Sequence, residues 1–470
     1  MPIIPDINSL HAQLISTTMQ RAILSMSTFD TVVVGAGIAG VTAANLLHRA
    51  GQRVVIVEAR DRVGGRTWTD RTAGFSVDLG ASWIHGIDGN PLTELVRAFD
   101  IETIEFTVGA FQPDSRPIAN YDPAHRPLDP AAAQQWADDI RTVDEELQRV
   151  VASATAEQTY ADVAEQALAA LDWDAERRER VWEFYRHRTE EQCGAHIDDV
   201  AAHGLDEDVI FSDEVIFPGG YDHLTRILAR GIDIRFNETV EAVAWSESGV
   251  RVDTAAASFD ARDAVITVPL GVLKAGTIQF VPDLPDEVAG PIERVGMGVF
   301  DKVFLQFPQP FWQDGLYAIR QQGPAADTWH SWYDVSAVSK QPMLLTFAGG
   351  QRGRDTEAMR DEQIVDSVVR SLKQIYGDSV PDPVNYWITR WGADPYALGS
   401  YSYVAAGATH EDHDAMATPV GGVLHLAGEA TYSSEPATVH GALLSGHRAA
   451  ERILGESIDL KELQDAASSS

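Results

Sequence analysis

The chain has 470 residues, with 70 acidic against 36 basic side chains and a formal net charge of −34, so it repels nucleic-acid phosphates and anionic membranes, and the charge serves either to draw cationic substrates or for solubility alone. This length exceeds one compact core and predicts two interleaved domains. Cys193 is the single cysteine, which excludes an intramolecular disulfide and a thiolate metal cluster and suits a reducing, cytoplasmic compartment; no run approaches the ~20 apolar residues of a membrane helix.

The first 25 residues lack the basic start and long apolar centre of a secretory signal. Residues 1–28 are read as an N-terminal extension, with Met26 four residues ahead of the first predicted strand; deletion of the first 25 is expected to leave activity intact. Residues 30–40, DTVVVGAGIAG, follow with an apolar run and glycines at 35, 37 and 40. A helix-compatible stretch, VTAANLLHRA, and a second apolar run ending at Glu58 complete a β-α-β dinucleotide unit. Gly35 allows the sharp turn, Gly37 the approach of a pyrophosphate, and Gly40 close packing of helix on strand. The helix start offers free N–H groups to the phosphates. Glu58 stands eighteen residues after Gly40, near the ~20 expected of an acid that takes the ribose hydroxyls. That acid disfavours a phosphorylated ribose, so NADP is not expected; NAD and FAD both fit. Next, ARDRVGGRTWT brings Arg60, Gly65 and Arg66 to the same end, where arginines neutralise a pyrophosphate. Residues 75–91 read as a strand and a Gly-rich loop carrying Ser82, Trp83 and His85.

GAGIAG, EARDRVGGRTW and DLGASWIHG together resemble the flavin-dependent amine oxidase superfamily, which includes monoamine oxidases, polyamine oxidases and lysine-specific histone demethylases. GASWIHG is most similar to polyamine and spermine oxidases. The resemblance implies an α/β chain in which a Rossmann-like FAD-binding domain (29–91, 214–284 and 419–458) is interleaved with an α+β substrate domain (92–213, helical, and 285–418), leaving 459–470 as a tail. It implies FAD, with Glu58 on the ribose, Arg60, Gly65 and Arg66 near the diphosphate and flavin, and Ser82 and Trp83 beside the cofactor.

Two long helices are predicted between 92 and 205, from AAAQQWADDIRTVDEELQRVVASA and ERRERVWEFYRHRTEEQCG. The second carries Glu190, where the resemblance implies a carboxylate in the substrate tunnel; by composition alone it belongs to a solvated charged face. GGYDHL opens a helix, IDIRFNETVEAVAW reads as one alternating strand, and residues 263–273 read as a strand. The resemblance puts the backbone of Val240 against the adenine. GVFDKVFLQF sets Lys302 among apolar residues on a strand, where its charge needs a partner. The resemblance gives it a water held at flavin N5 and a part in oxygen chemistry; an edge-strand guard is the alternative. Toward the C-terminus, WITRWGADPYALGSYSY supplies Trp391 and Tyr401, LHLAGEAT ends a buried strand at Gly428 before Glu429, and ATVHGALLSG starts a helix at Thr438 and Val439. That helix start would stabilise negative charge on reduced flavin, and Glu429 would bond the ribityl chain.

The expected chemistry is hydride transfer from the carbon next to an amine nitrogen to flavin N5, an imine that water hydrolyses to aldehyde or ketone, and reoxidation by oxygen to hydrogen peroxide. Monoamine oxidases frame the amine between two tyrosines; the matching positions here are Tyr401 and Thr438, a half-open cage that favours a polyamine or related aliphatic amine. Ser400 stands where those enzymes attach FAD to cysteine, so noncovalent FAD is expected. His85, Glu190 and Trp391 are the expected substrate contacts. An L-amino acid oxidase, which would need an arginine such as Arg188 or Arg320, an oxidase of secondary or alkaloid amines, and a non-catalytic flavoprotein remain as alternatives. A chromatin demethylase is disfavoured by the negative charge. The expected partners are a small amine and oxygen, with no metal, nucleic acid or membrane, in a monomer or homodimer.

Overall fold

The structure is a computed structural model that describes residues 28–107, 117–205 and 212–468. The valine runs of the first eighty residues form strands β1 (Phe29–Val34) and β2 (Val54–Val57) around helix α1 (Ile38–Arg49). Val32, Val33 and Val34 and all four residues of β2 are buried, as in a parallel sheet covered on both faces. Together with Asp233–Arg235, Ser258–Ile266 and Leu424–Leu426, these strands make the parallel part of an eight-stranded sheet. The strands Val240–Ser246 and Gly249–Thr254 extend it as an antiparallel meander, and Gln279–Val281 closes that edge.

One face of the sheet packs Val33 and Val265 against α1 and the C-terminal helix Val439–Leu454. The two helices cross closely because Gly446 has no side chain: a Cβ there would lie 2.1 Å from the carbonyl oxygen of Ala39. The other face packs Val32 and Val34 with Val250, Val252 and Leu424.

A second sheet of six strands runs in the order Asn385–Ile388, Phe300–Gln306, Met343–Gly349, Ser331–Asp334, Ala318–Gln321 and Ile118–Tyr121. The helices Pro130–Val151, Tyr160–Ala169 and α2 (Ala175–Cys193) share their own apolar cluster, and α2 packs against this sheet. The strand that bears Lys302, β3 (Phe300–Gln306), is an inner strand flanked on both sides, which removes the edge-guard reading of that lysine. Helix α3 (Gly350–Glu357) follows the neighbouring strand directly. α2 ends at Gly194 (φ 59°), whose carbonyl accepts the N–H of Val299 at 2.7 Å. Gly349 packs under the last turn, where a Cβ would meet the Glu190 carbonyl at 2.7 Å.

Three sequence expectations are corrected. IDIRFNETVEAVAW is two strands, Asp233–Arg235 and Val240–Ser246, because Asn237 turns the chain at φ 59°. The strand predicted over 263–273 stops at Ile266, and Pro269 caps a short helix, Leu270–Lys274. The segment read as a tail forms a 3₁₀ helix, Leu460–Ser468, that docks through fully buried Leu463. The expectation about residues 1–25 lies outside the described residues.

Candidate active site

The two sheets meet around a cavity of about 1020 Å³ lined by both of them. At its nucleotide end Gly35 adopts φ 103°, and a Cβ on Gly37 would meet nothing within 4 Å, so the backbone there is open to a ligand. Gly40 is used for packing: a Cβ would lie 2.0 Å from the Gly35 carbonyl, and the residue does not line the cavity. Glu58 lines it, and its two oxygens accept the N–H groups of Ala36 at 2.7 Å and Arg60 at 2.8 Å. Val240 and Gly65 also line this end. The Arg60 guanidinium is taken by Asp394 at 2.7 Å and lies over Tyr396, which leaves it at the cavity wall with its charge already matched. Arg62 stands behind this wall without lining it: its guanidinium lies over Trp68 and donates to the Gly65 carbonyl at 3.0 Å. Burial, then the neighbouring Arg60, lowers its pKa to about 10.

Deeper in, Arg66 donates to Glu429 at 2.8 Å and to the Ser400 carbonyl at 2.9 Å. Glu429 also accepts from Ser402 Oγ at 2.6 Å and from the N–H of Ala437 at 3.0 Å. Burial opposes its charge, but Arg66 and these donors outweigh burial and hold the carboxyl below its ordinary range. Gly428 (φ 136°), Thr438 and Val439 line the cavity next to it. Thr438 caps the C-terminal helix by accepting from Gly441 N–H at 2.9 Å, which aims the helix start at the cavity.

Lys302 is 7 % exposed, and its Nζ donates to the carbonyls of Asp78 (3.0 Å) and Gly80 (2.5 Å) and to Ser82 Oγ (2.5 Å). Burial lowers its pKa to about 8, against the opposing pull of Asp78. The ammonium also lies 5.5 Å from the ring centre of Trp83. Trp391 fixes the same corner, donating from its indole to the Leu79 carbonyl at 3.1 Å.

The end away from the nucleotide loop is walled by Phe300, Phe347, Tyr333 and Tyr401, with Phe300 and Phe347 stacked at 4.5 Å. Tyr401 donates to the backbone carbonyl of Glu191 at 2.8 Å. The sequence expectation of Glu190 is corrected here: Glu191 lines the cavity and Glu190 does not. Adjacent helical residues point about 100° apart, and the seating of α2 on Gly349 and Val299 sends Glu190 the other way, to Arg186 at 3.3 Å and the stacked rings of His187 and His330. Burial and then the nearby arginines and the neighbouring ring hold His187 and His330 neutral, the latter with a pKa of about 3. The Glu191 side chain accepts from Tyr333 at 3.3 Å, and burial raises its pKa to about 7. Arg188 and Arg320 do not line the cavity.

Two histidine–glutamate pairs also line the cavity. His85, stacked on Trp83, pairs with buried Glu214, and His440 pairs with Glu435 at 2.9 Å. The single cysteine, Cys193, is buried in α2 and is not among the cavity residues. Ser400 is bonded to the backbone of Phe300 in both directions.

The family profile described as flavin containing amine oxidoreductase matches residues 38–454. A lysine-specific histone demethylase 1 homolog of Oryza sativa subsp. japonica is 34 % identical over 90 % of this chain, which spans 52 % of that protein. Polyamine oxidase 2 of Arabidopsis thaliana is 32 % identical over 90 % of this chain and 87 % of its own. Among solved structures, cyclohexylamine oxidase from Brevibacterium oxydans IH-35A superposes with a TM-score of 0.74 at 24 % identity, over 93 % of this chain and 99 % of that one. Wild-type putrescine oxidase bound to putrescine gives 0.73 at 24 % identity, over 91 % and 99 %. These two likenesses bear on the fold. The chain spans about half the length of the demethylase relatives it matches.

Proposed function

The chain belongs to the flavin-containing amine oxidoreductase family, and we propose that it oxidises the carbon next to one nitrogen of an aliphatic di- or polyamine. The cavity residues fit FAD. Space is open over Gly37, Glu58 stands at the ribose distance from the glycine loop, and the C-terminal helix start faces the inner end. With Cys193 away from the cavity and Ser400 committed to Phe300, the fit is noncovalent. When bound, FAD would accept the hydride and pass the electrons to oxygen, giving hydrogen peroxide and an imine that water hydrolyses.

The chain's own groups divide the remaining work. Arg66 and the two helix starts supply positive potential for the cofactor's negative charge. Lys302, at the cavity wall, lends a proton in oxygen reduction; its three N–H groups are taken by protein oxygens, which leaves none for the water expected there. Tyr401 and Thr438 bound the space where the reacting amine sits as the free base.

Glu191 carries the substrate reading. A carboxylate whose side chain is 6 % exposed, at the end of an aromatic wall, offers an ammonium a partner beside the charge of Arg320, while the methylenes between the two nitrogens lie on Phe300, Phe347 and Tyr333. The net charge of −34 favours approach of the same cation. An amino-acid substrate lacks support, because Arg188 and Arg320 stand outside the cavity wall. The test is anaerobic mixing with putrescine, spermidine, spermine, benzylamine and L-amino acids, following the long-wavelength flavin band. Fastest bleaching by a di- or polyamine is expected; bleaching by L-amino acids alone overturns the reading.

A further inference from the structure

Side chains alternate along a strand, so β3 sends Lys302 to the cavity and its neighbour Asp301 to the opposite side, against α3 and the turn after Ile388. Asp301 is 1 % exposed. Its Oδ1 accepts from Thr389 Oγ1 at 2.8 Å and from the N–H of Trp391 at 2.9 Å. Its Oδ2 is buried, accepts from none of the ordinary donors around it, and faces the carboxyl of Glu357 at the end of α3. Glu357 already accepts from two backbone N–H groups, Gly392 at 2.5 Å and Ala393 at 3.2 Å. A Cβ on Gly392 would strike Glu357 Oε2 at 2.7 Å, so a glycine is what admits the carboxylate there.

The cations around the pair are committed elsewhere. Lys302 Nζ is bonded on the far face of the strand, and Arg390 donates to Asp361 and to the carbonyls of Glu357 and Met359. Among the described residues no cation forms an ion pair with Asp301 or Glu357. Two ionised carboxylates facing each other in such a place are unfavourable, and a single proton removes the conflict. Asp301 Oδ2, the buried oxygen that accepts from no donor, is the atom left to carry the proton, with Glu357 as its acceptor.

We propose that Asp301 donates a proton to Glu357, and that this acid–carboxylate hydrogen bond is a positioning clamp that ties β3 and α3 to residues 389–393 and so holds Trp391 in the cavity wall. Thr389 and Trp391 hang on one oxygen of Asp301, Gly392 and Ala393 on Glu357, and the shared proton joins the two halves. Trp391 in turn bonds the Leu79 carbonyl, which lies between the two carbonyls that hold Lys302. Burial, with Glu357 adding to it, raises the Asp301 carboxyl to about 7, which is the range where the clamp would open. The clamp does not depend on which amine is oxidised.

Hydrogen exchange of residues 389–393 in the full-length FAD-loaded protein tests it, with rates corrected for the intrinsic effect of pH. Wild-type protection is expected to fall about tenfold between pH 6 and pH 8, one decade for the unit above the midpoint. Asp301→Asn puts an N–H where the proton was and removes the titration, so its protection should be the same at both pH values. Asp301→Ala, where it folds, should be poorly protected at both. Unchanged wild-type protection between pH 6 and 8 overturns the proposal, as does an Asp301→Asn variant that loses protection with pH as the wild type does.

Discussion

Glu191 is the residue on which the substrate reading turns, and its replacement separates charge from shape. Glu191→Gln keeps the volume and the acceptor for Tyr333 but loses the charge-assisted bond to an ammonium, worth about 1.5–3 kcal/mol. KM for a diamine should rise roughly 10- to 100-fold with kcat changed less, and a monoamine of equal chain length should be nearly unaffected. Burial raises the Glu191 carboxyl to about 7, so as pH falls through that value the carboxylate takes a proton and KM for the diamine should climb. The variant should lack this limb, and steady-state profiles of both enzymes decide the matter. Much of the β-α-β unit at one end of the cavity was legible in the sequence, because Gly35, Gly37, Gly40 and Glu58 are set by local spacing. The choice between Glu190 and Glu191 was not. It depends on the rotation of α2 about its axis, which is set by Val299 and Gly349, more than a hundred residues away.

Among elements, the crossing of α1 and the C-terminal helix couples the two helix starts that face the cavity. Gly40 was readable as a packing glycine because it belongs to a spaced motif, whereas Gly446 sits in LLSGHRAA with no local pattern to mark it. A Cβ at Gly446 would lie 2.1 Å from the Ala39 carbonyl, a rigid backbone atom, so Gly446→Ala must spread the helices. A destabilisation of about 1–3 kcal/mol is expected, as for overpacking in a tight core. FAD should also dissociate faster, since both helix starts move relative to the glycine loop; a thermal scan and the rate of flavin fluorescence recovery on dilution measure the two effects. The elements misjudged in the sequence share a cause. Asn237 and Pro269 are short breaks inside apolar runs, and Leu463 docks by tertiary contact that a polar twelve-residue segment does not announce.

At the scale of the whole molecule, buried acids and buried histidines set a stability optimum in pH. Burial raises Glu190, Glu191 and Asp301 to about 7 and Asp78 to about 6, all above the ~4 of an unfolded carboxyl. The folded state therefore holds more protons than the unfolded one between about pH 4 and 7, and these groups lose stability as pH rises through that window. His187, His330 and His425 are lowered by burial and then by neighbouring charges; the unfolded chain binds their protons first, so they lose stability as pH falls below about 6.5. The two trends oppose each other below pH 6.5. Above it the histidines are neutral in both states, and only the acids act. Each acid near 7 contributes roughly 0.5–1 kcal/mol of loss from pH 6.5 to 8. The −34 net charge adds self-repulsion on the same side of the optimum. The melting temperature of the FAD-loaded protein, at fixed FAD, should fall by several degrees between pH 6 and pH 8. Added salt screens the exposed surface charge while leaving the buried carboxyls largely untouched, so 0.5 M sodium chloride should recover only part of that fall. A melting temperature that is flat from pH 6 to 8 would mean that these carboxyls are ionised in the folded state, and full recovery by salt would place the effect at the surface.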